Sequence, residues 1–117
     1  MSFKLNDGEY VFCLIKDQKK INSINFICSF KELNGFSIIM SKIDAINNGL
    51  YFYLTLAWIT LETTTSLDSV GITSLFSQAL ANEKISCNVV ASLNNDHIFV
   101  PFDERYKAIE ILNKLNI

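Results

Sequence analysis

The chain has 117 residues, half of them hydrophobic and nine of them Phe. It is long enough for one compact domain, or for two very small modules sharing a substantial interior, and too apolar for disorder. Ten basic against twelve acidic residues leave a formal net charge of −2, with no Lys/Arg run longer than the pair Lys19-Lys20. The electrostatic footprint of a nucleic-acid binder is missing, so no nucleic-acid partner is expected.

Residues 1–10 lack the basic start and apolar core of a signal peptide. The longest apolar stretches, such as residues 11–15, fall far short of the roughly 20 residues that cross a bilayer, and no membrane partner is expected. Cys13, Cys28 and Cys87 form no CxxC pair and sit in apolar or β-prone runs, where a thiol usually acts as a small buried hydrophobe. A reduced, cytoplasmic protein is the simplest expectation.

In chain order, residues 9–15 are dense in β-branched and aromatic side chains and predict a buried strand. Residues 16–22 are polar and basic, and read as a connection. Residues 25–33 predict a second strand, closed by Asn34-Gly35, a dipeptide suited to a tight hairpin because both residues tolerate positive φ. Residues 36–40 are its partner. Ser41 is placed to cap a short helix over residues 42–48, with Ile43 and Ile46 on one face and Gly49 as the stop.

Residues 50–65 form the longest β-like segment, apolar on both faces at its centre, which predicts a central strand or one shared between two halves. A Thr-rich turn over residues 63–66 follows. From there the period changes: Ile72, Leu75, Phe76, Ala79 and Leu80 mark an amphipathic helix with Ser69 or Asp68 as its cap. Residues 85–92 predict a strand, 93–96 a tight polar loop, and 97–102 the return strand, which Pro101 marks as an edge or a terminus. Asp103 is placed to cap a last helix whose stripe is Ala108, Ile111, Leu112 and Leu115.

Runs of adjacent strands with helices between them favour an antiparallel α+β fold. The half spanning residues 57–117 lacks only a final strand to be a ferredoxin-like βαββαβ unit. The half spanning residues 1–56 has about the right strands but one helix fewer than the motif needs. Two such halves are able to complete each other's sheets.

One combination of segments is familiar: Ala57-Trp58-Ile59-Thr60-Leu61, Val70-Gly71-Ile72-Thr73, Ala79-Leu80-Ala81, Ile85-Ser86-Cys87-Asn88-Val89-Val90-Ala91 and Asp96-His97-Ile98-Phe99-Val100-Pro101. Together with Gly8-Glu9-Tyr10-Val11-Phe12, it resembles small bacterial proteins built from two ACT-like units, and more distantly the ACT repeats of the animal arginine sensors called CASTOR. The resemblance implies two ferredoxin-like units sharing a long central strand, with antiparallel sheets and helices on one face. It also implies amino-acid binding as a regulatory signal and frequent dimerisation, so a homodimer is expected. Where such relatives often carry a His before the first helix and aromatic residues before Asp-His, this chain has Thr64 or Thr65 and Leu93-Asn94-Asn95.

An α-amino acid presents a carboxylate and an ammonium close together. The carboxylate suits a helix start, where free N–H groups and the positive dipole end meet it. Gly71 stands where the strand turns into the helix, so Val70, Gly71 and Ile72 are the first candidate contacts; otherwise Gly71 only eases a tight turn. Asp96 and Asn95 are candidates for the ammonium, or simply turn formers. Asn88 interrupts an apolar strand, and if buried it must bond to the protein or to a ligand. His97 and Asp96 are strand neighbours pointing to opposite faces, so they make no catalytic dyad. No GxSxG, Walker, GxGxxG or HExxH motif occurs, and the cysteines and the single His match no zinc pattern. No catalytic activity, metal or cofactor is expected. The alternative to a ligand-binding protein is an interaction module that keeps the fold without a ligand.

Overall fold

The structure, a computed structural model, describes residues 2–63 and 67–115. The expected turn at Thr64, Thr65 and Ser66 therefore lies outside the described residues. The chain groups into two compact units, one of Gly8–Leu56 and one joining Met1–Asp7 to Ala57–Ile117.

The N-terminal unit contains β2 (Tyr10–Ile15), α1 (Gln18–Ile21), β3 (Cys28–Glu32), β4 (Gly35–Ser41) and α2 (Lys42–Asn47), following a first strand β1 (Phe3–Leu5) that groups elsewhere. β4 lies between β3 and β2 and is antiparallel to both. On the other side of β2, Tyr10 pairs with Leu56. The two-residue period of β2 sends Val11, Cys13 and Ile15 to one face, where they join Ile38, Met40, Ile21, Ile24 and Ala45 in a buried core. Each fully buried aliphatic side chain contributes about 1.5–3 kcal/mol, so this set is the main stabiliser of the unit.

Two expectations change here. Residues 16–22 are not a plain connection: Asp17 accepts from the Lys19 N–H at 2.9 Å and starts the short helix α1, which buries Ile21. The hairpin turn falls on Leu33-Asn34, neither with positive φ, while Gly35 opens β4 at φ +142°. Gly35 is required by close approach, because a Cβ there would lie 2.6 Å from the Ile15 carbonyl oxygen. At α2 the capping reading holds, with the Asp44 N–H donating to Ser41 Oγ at 3.2 Å. However, it is Ala45 that α2 buries; Ile43 and Ile46 are exposed.

The C-terminal unit contains β1, β5 (Leu56–Leu61) from Ala57 onward, α3 (Ile72–Asn82), β6 (Asn88–Ala91), β7 (Asp96–Pro101), a 3-10 turn (Phe102–Glu104) and α4 (Arg105–Asn113). The long β-like segment shortens to β5. Leu50 and Phe52 pack on the N-terminal core while Tyr51 and Tyr53 are exposed, an alternation of burial without strand pairing. The missing final strand of this unit comes from the N-terminus: β1 pairs antiparallel with β5, Phe3 opposite Leu61 and Leu5 opposite Ile59. The strand order is β1-β5-β7-β6, with β6 and β7 an antiparallel hairpin.

α3 and α4 cover one face of that sheet. Ala57, Ile59 and Leu61 from β5 and Ile98 and Val100 from β7 meet Phe76, Leu80, Ala108 and Leu112 from the helices. The Phe3 ring packs edge-on against Phe76, centroids 6.1 Å apart. Asn113 clips β1 to the end of α4: its Oδ1 accepts from the Phe3 N–H at 2.9 Å and its Nδ2 donates to the Phe3 carbonyl at 3.3 Å. Asp103 does not cap α4; the 3-10 turn intervenes, and Arg105 donates back to the Phe102 carbonyl at 2.8 Å. The fold is α+β and ferredoxin-like, with antiparallel strand pairs and helices on one face.

Candidate functional site

The start of α3 is built by Gly71 rather than by the expected Ser69 or Asp68. Gly71 is the N-cap at φ +89°, a left-handed conformation open to glycine at no steric cost, and it has no side chain to bond the first-turn N–H groups. Its carbonyl accepts from the Leu75 N–H at 3.1 Å and the Ser74 hydroxyl at 3.0 Å. A Cβ at Gly71 would meet nothing within 4 Å, so that side of the turn faces open space.

Next to this turn is a crevice of about 70 Å³. Ser69, Ile72 and Thr73 line it from the helix side, Ala91, Ser92 and Asp96 from the β6–β7 hairpin, and Leu67 from the preceding loop. Asp96, 7% exposed, is the one buried charged side chain among the described residues. Two of the sequence candidates, Ile72 and Asp96, thus meet in one place. Val70 is beside them in the chain but projects into solvent at 95% exposure.

The other candidates lie apart. Asn95 commits its amide to the end of β5, donating to the Leu61 carbonyl at 2.9 Å and the Glu62 carbonyl at 3.2 Å. Its own carbonyl accepts from the Ser92 N–H at 3.0 Å and the Ser92 hydroxyl at 2.6 Å, so it acts as a turn former. Asn88 is exposed, at the opposite end of β6 from Ala91. The requirement for a buried partner therefore does not arise.

Ser92, Ser69 and Thr73 were not among the sequence candidates. A hydroxyl residue in a polar hairpin loop usually bonds its own backbone; Ser92 does that and also borders the crevice, so the loop reading concealed its second position. The Ser92 hydroxyl further meets His97 Nε2 at 3.2 Å. On the other side of that ring, the Trp58 indole N–H donates to Nδ1 at 3.0 Å, with Thr60 Oγ1 at 3.3 Å. Trp58 also stacks on Phe99, centroids 6.1 Å apart. Burial lowers the His97 pKa from its ordinary value, and the Asp96 charge opposes the shift. The neutral ring suits a site where one nitrogen already accepts a hydrogen bond.

Burial pushes the thiols of Cys13, Cys28 and Cys87 upward, away from the thiolate form a nucleophile needs. Among the described residues no group of three His, Cys, Asp or Glu side chains is placed to hold a metal. No helix among them is long and apolar enough to cross a membrane.

Two ACT domain family models match, one over residues 55–114 and the other over residues 1–57. A protein of unknown function from Vibrio cholerae, described as a possible transport protein, is 34% identical, covering 95% of this chain and 86% of its own, with a TM-score of 0.89. The chain belongs to the ACT domain family. The same fold occurs in a protein from Agrobacterium tumefaciens at 16% identity and TM-score 0.74, covering 96% of this chain and 86% of its own. It occurs again in the regulatory subunit of aspartate kinase from Thermus flavus, at 10% identity and TM-score 0.67, covering 97% and 96%. Among curated proteins none matches by sequence. In ACT terms, β1 supplies the fourth strand of the C-terminal ACT unit, and the crevice lies at the start of that unit's first helix.

Proposed function

We propose that this ACT protein binds an amino acid as a regulatory signal, at the crevice between the Gly71 turn and Asp96. The observation that carries the reading is the meeting of a buried carboxylate, Asp96, with a helix start whose N-cap is a glycine open on its Cβ side. The ligand ammonium pairs with Asp96, helped by the Ser92 hydroxyl. The ligand carboxylate lies against the first-turn N–H groups around Gly71, Ile72 and Thr73. Val70 contributes its main chain there. Asn95 acts one step back, by fixing the Ser92 loop, and Asn88 has no part.

At about 70 Å³ the crevice is below the roughly 300–1,000 Å³ of an enclosed small-molecule pocket. It takes the polar head of the ligand, and the side chain lies outward across the exposed Leu67 and Val70. A second copy closing over that side chain would join binding to homodimerisation. On this reading the protein is a cytoplasmic regulator and not an enzyme, distantly like the CASTOR arginine sensors.

A thermal-shift screen against the proteinogenic amino acids tests this. A ligand at 100 times its dissociation constant stabilises by about 2.7 kcal/mol, which moves the midpoint by several degrees. The small crevice favours one second reading, a ligand-free interaction module. A flat screen, with unchanged self-association on adding any amino acid, would select it.

A further inference from the structure

Asp96 opens β7 and is only 7% exposed. Taking a carboxylate out of water is costly unless a cation or hydrogen-bond donors replace the water. Among the described residues no Lys or Arg pairs with Asp96 and no group donates to its carboxylate. His97, next in the chain, offers no cation, because its Nδ1 accepts the Trp58 N–H at 3.0 Å and burial lowers its pKa. No fully buried side-chain oxygen among these residues lacks a partner, so the Asp96 carboxylate meets the exterior through the crevice it lines.

We propose that the crevice binds a monovalent metal cation, sodium or potassium, on the Asp96 carboxylate with the hydroxyl oxygens of Ser92 and Thr73. The proposal shares Asp96 with the amino-acid reading and does not rest on it: the ion occupies the carboxylate when no ammonium does.

The hydrogen bonds around Ser92 suit this role. Ser92 Oγ commits its proton to the Asn95 carbonyl at 2.6 Å, so it presents lone pairs to the rest of its surroundings. One of them meets His97 Nε2 at 3.2 Å, which leaves the other for a ligand. Thr73, the second residue of α3, brings a hydroxyl from the helix side of the same crevice. Carboxylate and hydroxyl oxygens are the donors that hard cations take.

Charge selects a single positive charge. Asp96 carries one negative charge, and the start of α3 beside it opposes this with about half a positive one. What remains attracts a monovalent ion and is too little for a divalent one. Calcium takes roughly six to eight oxygens, several of them from carboxylates, and no group of three His, Cys, Asp or Glu side chains gathers among the described residues. At about 70 Å³ the crevice has room for a small ion with water still attached.

The test is the thermal midpoint of the full chain, free of amino acids, in sodium, potassium and tetramethylammonium chloride. All three are used at one ionic strength of about 0.15 M, so that screening is equal. Tetramethylammonium carries the same charge behind methyl groups, which keep oxygen ligands at a distance. Sodium or potassium should raise the midpoint over tetramethylammonium by about 3 °C or more, and the larger shift identifies the ion. The gap should close in Asp96→Asn and shrink in Thr73→Val, which keeps the shape of the side chain and removes its hydroxyl. Equal midpoints in the three salts overturn the proposal, as does a gap that persists in Asp96→Asn. Should Asp96→Asn fail to fold, an unchanged gap in Thr73→Val overturns it instead. A flat amino-acid screen leaves this site standing, and equal midpoints in the three salts leave the amino-acid reading standing.

Discussion

Trp58 donates its indole N–H to Nδ1 of His97 at 3.0 Å, and that bond decides the tautomer of the histidine. With Nδ1 accepting, the ring proton sits on Nε2 and points to Ser92 Oγ at 3.2 Å. The Ser92 hydroxyl then donates to the Asn95 carbonyl at 2.6 Å. The chain of donors runs from the sheet face into the loop that borders the crevice.

Protonation of His97 would place a second N–H against that of Trp58. Burial already lowers its folded-state pKa below the ordinary value of 6.5, with Asp96 opposing. The unfolded chain therefore binds the proton more readily. The stability contributed by neutral His97 is complete above the unfolded value and is lost as pH falls through the lower, folded value. Urea denaturation at about pH 7 and about pH 5 should show weaker folding at the lower pH, and His97→Gln should flatten the difference. An equal slope in the variant would assign the effect to other groups.

Asn113 satisfies both backbone polar groups of Phe3. Asn113→Ala leaves those part-buried groups without their partners and should cost about 1–3 kcal/mol. Denaturant titration measures the loss. Hydrogen exchange at Lys4 and Leu5 should quicken before exchange in β7 does, because β1 is the strand released.

Glycine replacements should separate clash from strain. Gly35→Ala brings a Cβ to 2.6 Å from a backbone oxygen at positive φ, so both terms act and the loss should exceed about 2 kcal/mol. Gly49→Ala, at φ +65° with nothing within 4 Å, carries only the left-handed term of about 1–2 kcal/mol. Thermal midpoints of the two variants rank them.

Much of this fold was legible because burial imposes period. Phe76 and Leu80 are buried on α3 where a helical stripe places them, and Ala57, Ile59 and Leu61 alternate on β5. The same signal misled at residues 50–55, where Leu50 and Phe52 alternate with Tyr51 and Tyr53 because they cover a core and not because they pair. β1 was invisible: three residues are too few to show a period, and their partners are at residues 59–61. α1 was missed for similar brevity, although Asp17 was present as its cap. At the crevice, Ile72 and Asp96 could be found from helix-start and loop chemistry. Ser92 could not, because its local bond to Asn95 accounts for it fully at the level of sequence.

The proposed function requires an amino acid to bind between Gly71 and Asp96. Calorimetric titration of the wild type, Asp96→Asn and Gly71→Val proteins tests it most directly. At least one proteinogenic amino acid should give saturable heat with the wild type, weakened by about tenfold or more in each variant while both retain the fold. No heat from any amino acid, or the same affinity in all three proteins, would contradict it.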